Sequence, residues 1–426
     1  MPQESETYGL HWPGRAAALR EVSAAATGAL VPDTKHPINA PAGTLVISEN
    51  LAALRLLLPT HRGSVKMIYI DPPYNTGKAD FIYEDGTRPT GRGAASAKTG
   101  SAPWLSMMYP RLALAREFLT EDGLLYVSIG DHEVHHLRML LDEHFGAGNF
   151  EGHLHWRRRH NQPNDKTKLI GLVAEHILVY ARDSAALRAA GVGKLPLTGK
   201  FSNPDDDPRG PWASKPWKVG SDQSGSPYAI TSPSGAVFTE VWMGERATYE
   251  RLLADGRIVF PRRGQGLPRK KYFQRERALE GQCANNWWDH ELAGHNQAGN
   301  RELTALFGGV KNVFSNPKPT QLLRLLMRLA RVNDGDTVMD FFAGSGSTGD
   351  AVLQLRGEGT DASFLLVQVP QAITGSNKYR RAAEEVLAPL GRDINIAELT
   401  RERLRRAAEK YAGGEGFAVL TYASES

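Results

Sequence analysis

The chain has one cysteine, Cys283, in 426 residues. That excludes an internal disulfide framework and any multi-cysteine zinc site, and it suits a reducing compartment. Long apolar runs are also missing. The longest, such as Gly123 to Ile129, are far too short to cross a bilayer, so no membrane partner is expected. The Ala-rich stretch Ala16 to Leu30 is broken by Arg20 and Glu21 and has no signal-peptide core, so a cytoplasmic location is expected. Internal repeats and low-complexity tracts are absent. Neither sign of charge dominates: the formal net charge is +4, which permits a nucleic-acid partner without demanding one. With 41% hydrophobic and 23% charged residues, the composition excludes a disordered or fibrous chain.

What is present divides into three zones. From Thr44 to Arg182, strand-like runs (Thr44–Ser48, Val65–Ile70, Leu124–Ile129, Glu175–Tyr180) alternate with helical spacing (Leu51–Leu58, Trp104–Leu119, His132–Phe145). That alternation predicts a doubly wound, mostly parallel α/β sheet. From Ala185 to Asn300 the pattern degrades into turns rich in Gly, Pro, Ser and Asp, with five of the eight tryptophans (Trp212, Trp217, Trp242, Trp287, Trp288). An inserted α+β module is expected there. From Gln321 the alternation returns, with strands at Thr337–Phe342, Ser363–Val369 and Ala418–Tyr422 and a charged helix at Ile396–Tyr411. The expected organisation is therefore 1–184 and 301–426 forming one domain, interrupted by 185–300.

Two motifs carry chemistry. Asp71-Pro72-Pro73-Tyr74-Asn75-Thr76-Gly77 follows a strand, and ligands of open α/β sheets bind at the carboxyl ends of strands. The Asp71 carboxylate can accept from an exocyclic amine. Pro72 and Pro73 have no N–H and a fixed φ, so they hold local carbonyls rigidly, and Pro72 offers a second acceptor. Tyr74 offers a face for a flipped base. The alternative is a plain turn after a strand. The second motif, Asp340-Phe341-Phe342-Ala343-Gly344-Ser345-Gly346-Ser347-Thr348-Gly349, lies between a strand and a helix, where glycines and free N–H groups admit a ligand. It satisfies GxGxxG, so a nicotinamide enzyme must be weighed. That fingerprint wants an acid after the next strand, where this chain reads Gln368-Val369-Pro370-Gln371.

Together the motifs resemble the amino-methyltransferases of DNA, in which Asp-Pro-Pro-Tyr is catalytic and Phe-Ala-Gly-Ser-Gly-Ser-Thr binds S-adenosylmethionine. The catalytic motif comes first, with a long insert between the two, which is the β-class order. Further stretches look like the Mod subunit of Type III restriction–modification systems: Tyr8-Gly-Leu-His-Trp12-Pro-Gly14-Arg15, Leu45 to Leu51, Lys66 to Asp71, Asp80 to Tyr83, Trp104…Met108…Arg111, Phe145-Gly…Asn149-Phe, and Leu306-Phe-Gly…Asn316-Pro-Lys318-Pro319. The resemblance implies a Rossmann-like S-adenosylmethionine-dependent domain with permuted motif order and a target-recognition insert. It implies transfer of a methyl group to adenine N6 in duplex DNA by base flipping, in a prokaryotic restriction–modification setting, with cytosine N4 as the alternative acceptor. A DNA-binding homologue without catalysis is the rival from another class. It also implies catalytic roles for Asp71, Pro72, Pro73 and Tyr74, and cofactor contacts from Asp340, Phe341, Phe342, Ala343, Gly344, Ser345, Gly346, Ser347, Thr348, Lys318, Pro319, Asn50, Gln368 and Asp71. Members often pair as homodimers, and Type III systems add a helicase–nuclease restriction subunit. The chain departs from the family pattern at Ser48-Glu49-Asn50, where Gly-Asp-Asn is usual, and at Gln371, where an acid is common.

For DNA, Arg157, Arg158 and Arg159 precede the stretch 161–168, and Arg262, Arg263, Arg269, Lys270 and Lys271 lie in the insert. Such runs suit phosphate and base-edge contacts, against the alternative of a solvated surface. No metal is expected: His132, His135 and His136 have helical spacing but no completing ligands, and read as a hydrated face. Trp287-Trp288 is expected in the core of the insert, and Cys283 as a buried small side chain.

Overall fold

The computed structural model describes residues 9–34, 42–76, 100–161, 166–167, 169–374 and 378–424. Tyr8, Gly77, the stretch Asp80 to Tyr83 and Lys168 lie outside the described residues. The chain divides into two compact units, one from residues up to Gly193 together with those from Asn285 onward, the other Lys194–Ala284.

In chain order the first unit contributes β1 (Ala29–Pro32), β2 (Gly43–Ile47), β3 (Val65–Ile70), β4 (Leu119–Ile129), β5 (Phe150–Arg157) and β6 (Ala174–Ala181). The second supplies β7 (Trp212–Pro216), β8 (Ser226–Thr231), β9 (Val237–Trp242), β10 (Ile258–Val259) and β11 (Arg269–Phe273). The first then resumes with β12 (Trp287–Trp288), β13 (Thr337–Asp340), β14 (Ser363–Gln368) and β15 (Ala418–Ala423). Its ten strands form one sheet in the order β1-β15-β2-β14-β13-β3-β4-β6-β5-β12. The five pairings from β15 through β4 are all parallel. Their strands read as near-continuous apolar runs because helices cover both faces: all six residues of β3 are buried. The helices Asn50–His61, Ala102–Phe118 and Val134–Phe145 pack Leu54, Leu57, Trp104, Leu112, Leu137 and Leu141 into one core.

Two features of this sheet position the site. The chain winds outward from β13 and β3, which are neighbours: β13 leads to β14 on one side, and β3 leads to β4 on the other. Their junction is thus the switch point where the carboxyl ends diverge into a crevice. Asp340 ends β13 and Asp71 follows β3, so the two motifs, far apart in sequence, start side by side. Beyond β4 the sheet turns antiparallel: β6 runs against β4, with Ile129 opposite His176. The start of β6 therefore lies where the parallel strands end, and brings Glu175 there.

The second unit holds a three-stranded sheet, β10-β11-β7, and the hairpin β8-β9, around Trp217, Ile230, Trp242, Tyr249 and Ile258. It is narrower than the expected 185–300. The helix Ser184–Ala190, capped by Asp183, stays with the first unit. So do residues 285–300, because Trp287 and Trp288 pair with His155 and Trp156 of β5 at the sheet edge. The expectation that these tryptophans form the core of the insert is thereby corrected. Cys283, expected to be buried, is exposed. Among the described residues no helix is long and apolar enough to cross a membrane.

Candidate functional site

A cavity of about 390 Å³ opens at the β3–β13 junction. Asp71 and Pro73 line it from one motif, and Asp340, Phe341, Phe342, Ala343, Gly344, Ser345, Ser347 and Thr348 from the other. Asn50, Lys318, Gln368 and Gln371 complete much of the wall. Most residues expected at a cofactor or catalytic site thus meet in one space. Pro72, Tyr74, Gly346 and Pro319 adjoin lining residues in the chain: Gly346 precedes the helix Ser347–Gly357, and Pro319 precedes the helix Thr320–Leu329.

The loop after β13 is held by its own acid. Asp340 is buried; its Oδ1 accepts from the Phe342 N–H (3.0 Å) and its Oδ2 from the Thr348 hydroxyl (2.6 Å). Burial pushes its carboxyl up to about 7, against the pull of those two bonds. Gly344 and Gly346 take φ of 54° and 78°, left-handed values that favour glycine. Gly349 serves packing: a Cβ there would lie 2.5 Å from Leu404 Cδ2 and 2.9 Å from Leu366 Cδ1. No side chain caps the helix that opens at Ser347, so its first-turn N–H groups present a positive end next to the cavity.

Several supports of this loop were missed in the sequence. Gln368 Oε1 accepts from the Gly344 N–H (2.7 Å), and the Thr400 hydroxyl donates to the Gly344 carbonyl (2.6 Å). The fully buried Arg403 donates from Nη1 to the Ser345 and Ser347 hydroxyls (2.9 and 2.7 Å) and from Nε to Asp350 (2.9 Å). Asn50 Nδ2 donates to the Phe341 carbonyl (2.9 Å), while its Oδ1 accepts from Arg111 Nε (2.5 Å). Gln368 and Asn50, expected to touch a cofactor, therefore also brace the loop that would hold it. The residues fit S-adenosylmethionine: a glycine-turned loop, an uncapped helix start, flat apolar walls from Phe341 and Phe342, and buried carboxylates nearby for a cation.

The Asp71 corner is built differently. Asp71 Oδ1 accepts from the Tyr74 hydroxyl (2.6 Å) and Oδ2 from Lys318 Nζ (2.6 Å). Lys318 Nζ also lies 3.0 Å from Glu175 Oε1 and 3.1 Å from the Tyr74 oxygen, so all three of its protons have partners. The Tyr74 hydroxyl contacts Glu175 as well. One phenolic hydrogen cannot serve two carboxylates, so the second contact is satisfied when a carboxyl carries a proton. Burial, reinforced by the Glu175 charge and opposed by Lys318, raises the Asp71 carboxyl. Burial works against the Lys318 charge, and Asp71 and Glu175 outweigh it, so the ammonium is held. Burial and the two carboxylates drive the Tyr74 phenol well above its ordinary range, so it stays a donor.

The strand's exit is pinned. The Trp104 indole N–H donates to the Pro73 carbonyl (2.7 Å), and buried Asn75, at φ 57°, donates to buried Glu133 (2.6 Å). Tyr74 packs on backbone: a Cβ on Gly130 would lie 3.1 Å from its Cδ2. Glu175 was the main omission. A lone acid at the start of an apolar strand was its only sequence signal.

The basic residues separate. Arg159, Arg262 and Arg263 are exposed, and Lys270 is half-buried over the Tyr272 ring. Arg157 donates to the His160 carbonyl (3.2 Å), and Arg158 Nε lies 3.8 Å from Glu175 Oε2. Arg269 is tied to Ser214 (2.8 Å). Lys271 is corrected: it is 4% exposed, with Nζ between Asp205 and Asp207, a buried ion pair rather than a phosphate contact.

Residues 65–368 match the N6_N4_Mtase family, described as DNA methylase. The Mod subunit of the Type III restriction-modification enzyme StyLTI from Salmonella typhimurium is 33% identical, over 95% of this chain and 63% of that protein. The chain thus spans less than two thirds of that relative. The EcoP15I Mod subunit from Escherichia coli is 27% identical over 97% of this chain and 71% of its own length. Among solved structures, the PvuII cytosine-N4-specific DNA methyltransferase is similar at TM-score 0.40 and 14% identity, covering 89% of this chain and 98% of that one.

Proposed function

Because the chain belongs to the N6/N4 DNA methylase family, we propose that it transfers a methyl group from S-adenosylmethionine to adenine N6 at specific sites in duplex DNA. The observation that carries this reading is the single cavity lined by both Asp71 and the loop from Asp340 to Thr348. The similarity to Type III Mod subunits favours adenine and a restriction–modification setting. Pairing into a homodimer and association with a restriction subunit belong to the same proposal.

When bound, S-adenosylmethionine supplies a methyl group on a positively charged sulfur. The loop residues Phe341 to Thr348 would hold and orient it, kept in shape by Asp340, Gln368, Thr400 and Arg403. A flipped adenine enters at Asp71, with some unpairing cost. A carboxylate has about four lone-pair sites. Tyr74 and Lys318 occupy two, which leaves Asp71 able to accept from the N6 amine without losing either partner. Two acceptors, Asp71 and the Pro72 carbonyl, fix the nitrogen and aim its lone pair. Held in line, the reactants need little further help; orientation alone contributes several kcal/mol. Asp71 would then be the acceptor for the proton shed by the amine. In this reading Lys318 governs Asp71 rather than bordering the cofactor. The module 194–284 reads the target sequence, with exposed Arg262 and Arg263 available to DNA.

Single-molecule sequencing of DNA from a methylation-free host expressing the chain tests this. The expected result is N6-methyladenine at one discrete motif, absent with Asp71→Ala. N4-methylcytosine would keep the mechanism and change the base; a purified chain that binds no S-adenosylmethionine would overturn the reading.

A further inference from the structure

On the sheet face opposite Glu175, three imidazoles meet that no step above uses. His153 and His155 lie on the same side of β5, two residues apart. His176 of β6 stands directly across from His155 and diagonal to His153. Their positions are therefore fixed by the strand ladder rather than by a loop. One ring nitrogen from each lies within 4.8 Å of the others. His153 Nε2 is 2.9 Å from His176 Nδ1, and the rings of His153 and His155 are 4.3 Å apart. The outer nitrogen of His176, Nε2, meets Asp131 Oδ1 at 2.9 Å.

We propose that His153, His155 and His176 form a site for a divalent transition-metal ion of the zinc class, with Asp131 as the orienting carboxylate. A carboxylate behind a histidine fixes the tautomer: Nε2 carries the proton, and Nδ1 is left with a lone pair facing the other two rings. Metal–imidazole distances are about 2.0–2.1 Å, so nitrogens bound to one ion stand roughly 3.3 Å apart in a tetrahedron. The ring nitrogens, now within 4.8 Å of one another, reach that separation around a bound ion. Metals take neutral imidazole. The nearby cation, Arg138, is paired with Asp142 at 3.0 Å and stacked over Phe150. Three protein ligands leave at least one coordination position open to water or a small anion. The ion would clamp β5 to β6 one residue from Glu175, and so steady the strand that delivers Glu175 to the Asp71 corner.

The site is independent of the reading of the cavity, and its test does not depend on methyl transfer. Metal-free full-length protein is titrated with Zn²⁺ against a chromophoric chelator, and its thermal midpoint is followed with and without Zn²⁺. One ion per chain is expected, with a raised midpoint. His153→Ala and His176→Ala abolish both signals, and Asp131→Asn weakens binding by about 10–100-fold. Far-ultraviolet circular dichroism shows that the variants fold. If one does not, Co²⁺ added to the unsubstituted protein decides: visible bands of a tetrahedral nitrogen site support the proposal, and an octahedral aquo spectrum overturns it. A second group, His160, His290 and His295, has rings 4.3–6.2 Å apart. Binding lost in His290→Ala but kept in His176→Ala would place the ion there and overturn the assignment, as would the absence of stoichiometric binding.

Discussion

Two acids face one cavity, and the fold surrounds them differently. Asp340 is surrounded by neutral donors, a backbone N–H and a threonine hydroxyl, and its bonds close on its own loop. Asp71 is surrounded by charge: Lys318, then Glu175, then Arg158, with Tyr74 between the carboxylates. The first arrangement makes a shape. The second couples a carboxyl to a buried cation that opposes its protonation. Burial raises both carboxyls; at Asp340 chiefly two neutral donors oppose it, whereas at Asp71 the Lys318 ammonium does, within a rigid, mutually dependent network.

The sharpest test of the contrast is to remove each acid. Asp71→Ala is expected to lower methyl transfer by at least about 10²-fold while S-adenosylmethionine still binds, because nitrogen placement is lost and the loop is not. Asp340→Ala should do the reverse. Losing two hydrogen bonds costs roughly 0.5–1.5 kcal/mol each, enough to weaken cofactor affinity by about 10-fold or more in equilibrium dialysis. If both variants lost cofactor binding equally, the division of labour would fail. Next in size is Lys318→Met. It should lower kcat and move the acid limb of the pH–rate profile to higher pH, because Asp71 loses the cation that opposes its protonation. An unchanged profile with a raised KM for S-adenosylmethionine would instead place Lys318 at the cofactor.

The Asp340 carboxyl also predicts a stability signature. Its folded value, about 7, lies above the ordinary 3.8, so the native state binds more protons between those pH values. Its contribution is fully present below pH 4 and is lost as pH rises through 7. Urea unfolding should therefore show the wild-type chain losing up to a few kcal/mol relative to Asp340→Asn between pH 4 and 8, at about 1.4 kcal/mol for each pH unit crossed. A constant difference would mean that Asp340 is ionised throughout. The smallest effect belongs to the surface: Arg262→Glu with Arg263→Glu should weaken DNA binding and flatten its dependence on salt, leaving cofactor affinity unchanged.

Much of the framework was legible. The strand Val65–Ile70 and the helix Ile396–Tyr411 appear with the bounds their patterns predict, because an unbroken apolar run and a regular charged helix are local signals. Both motifs were legible as turns at strand ends, and residues of both line one cavity. What the sequence hid is non-local. β5 was not anticipated because its surface mixes glycine, glutamate and histidine, and only pairing with β6 makes it a strand. The tryptophan pair was misplaced because the edge of a sheet borrows strands from anywhere in the chain. Arg403 and Lys271 look like any surface cation until burial shows otherwise. Histidines spaced as on a helix drew attention at 132–136, while the trio that converges is split between two strands.

The brace under the cofactor loop comes from the helix Ile396–Tyr411, through Thr400 and Arg403. On the ribosome, the Asp71 corner emerges hundreds of residues before that helix exists. A nascent chain therefore carries Asp71 early but cannot brace the Gly344 turn until the helix Ile396–Tyr411 is made. Fragments lacking that helix would have Asp71 and the Gly344 turn but not the Thr400 and Arg403 bonds that hold the turn in shape.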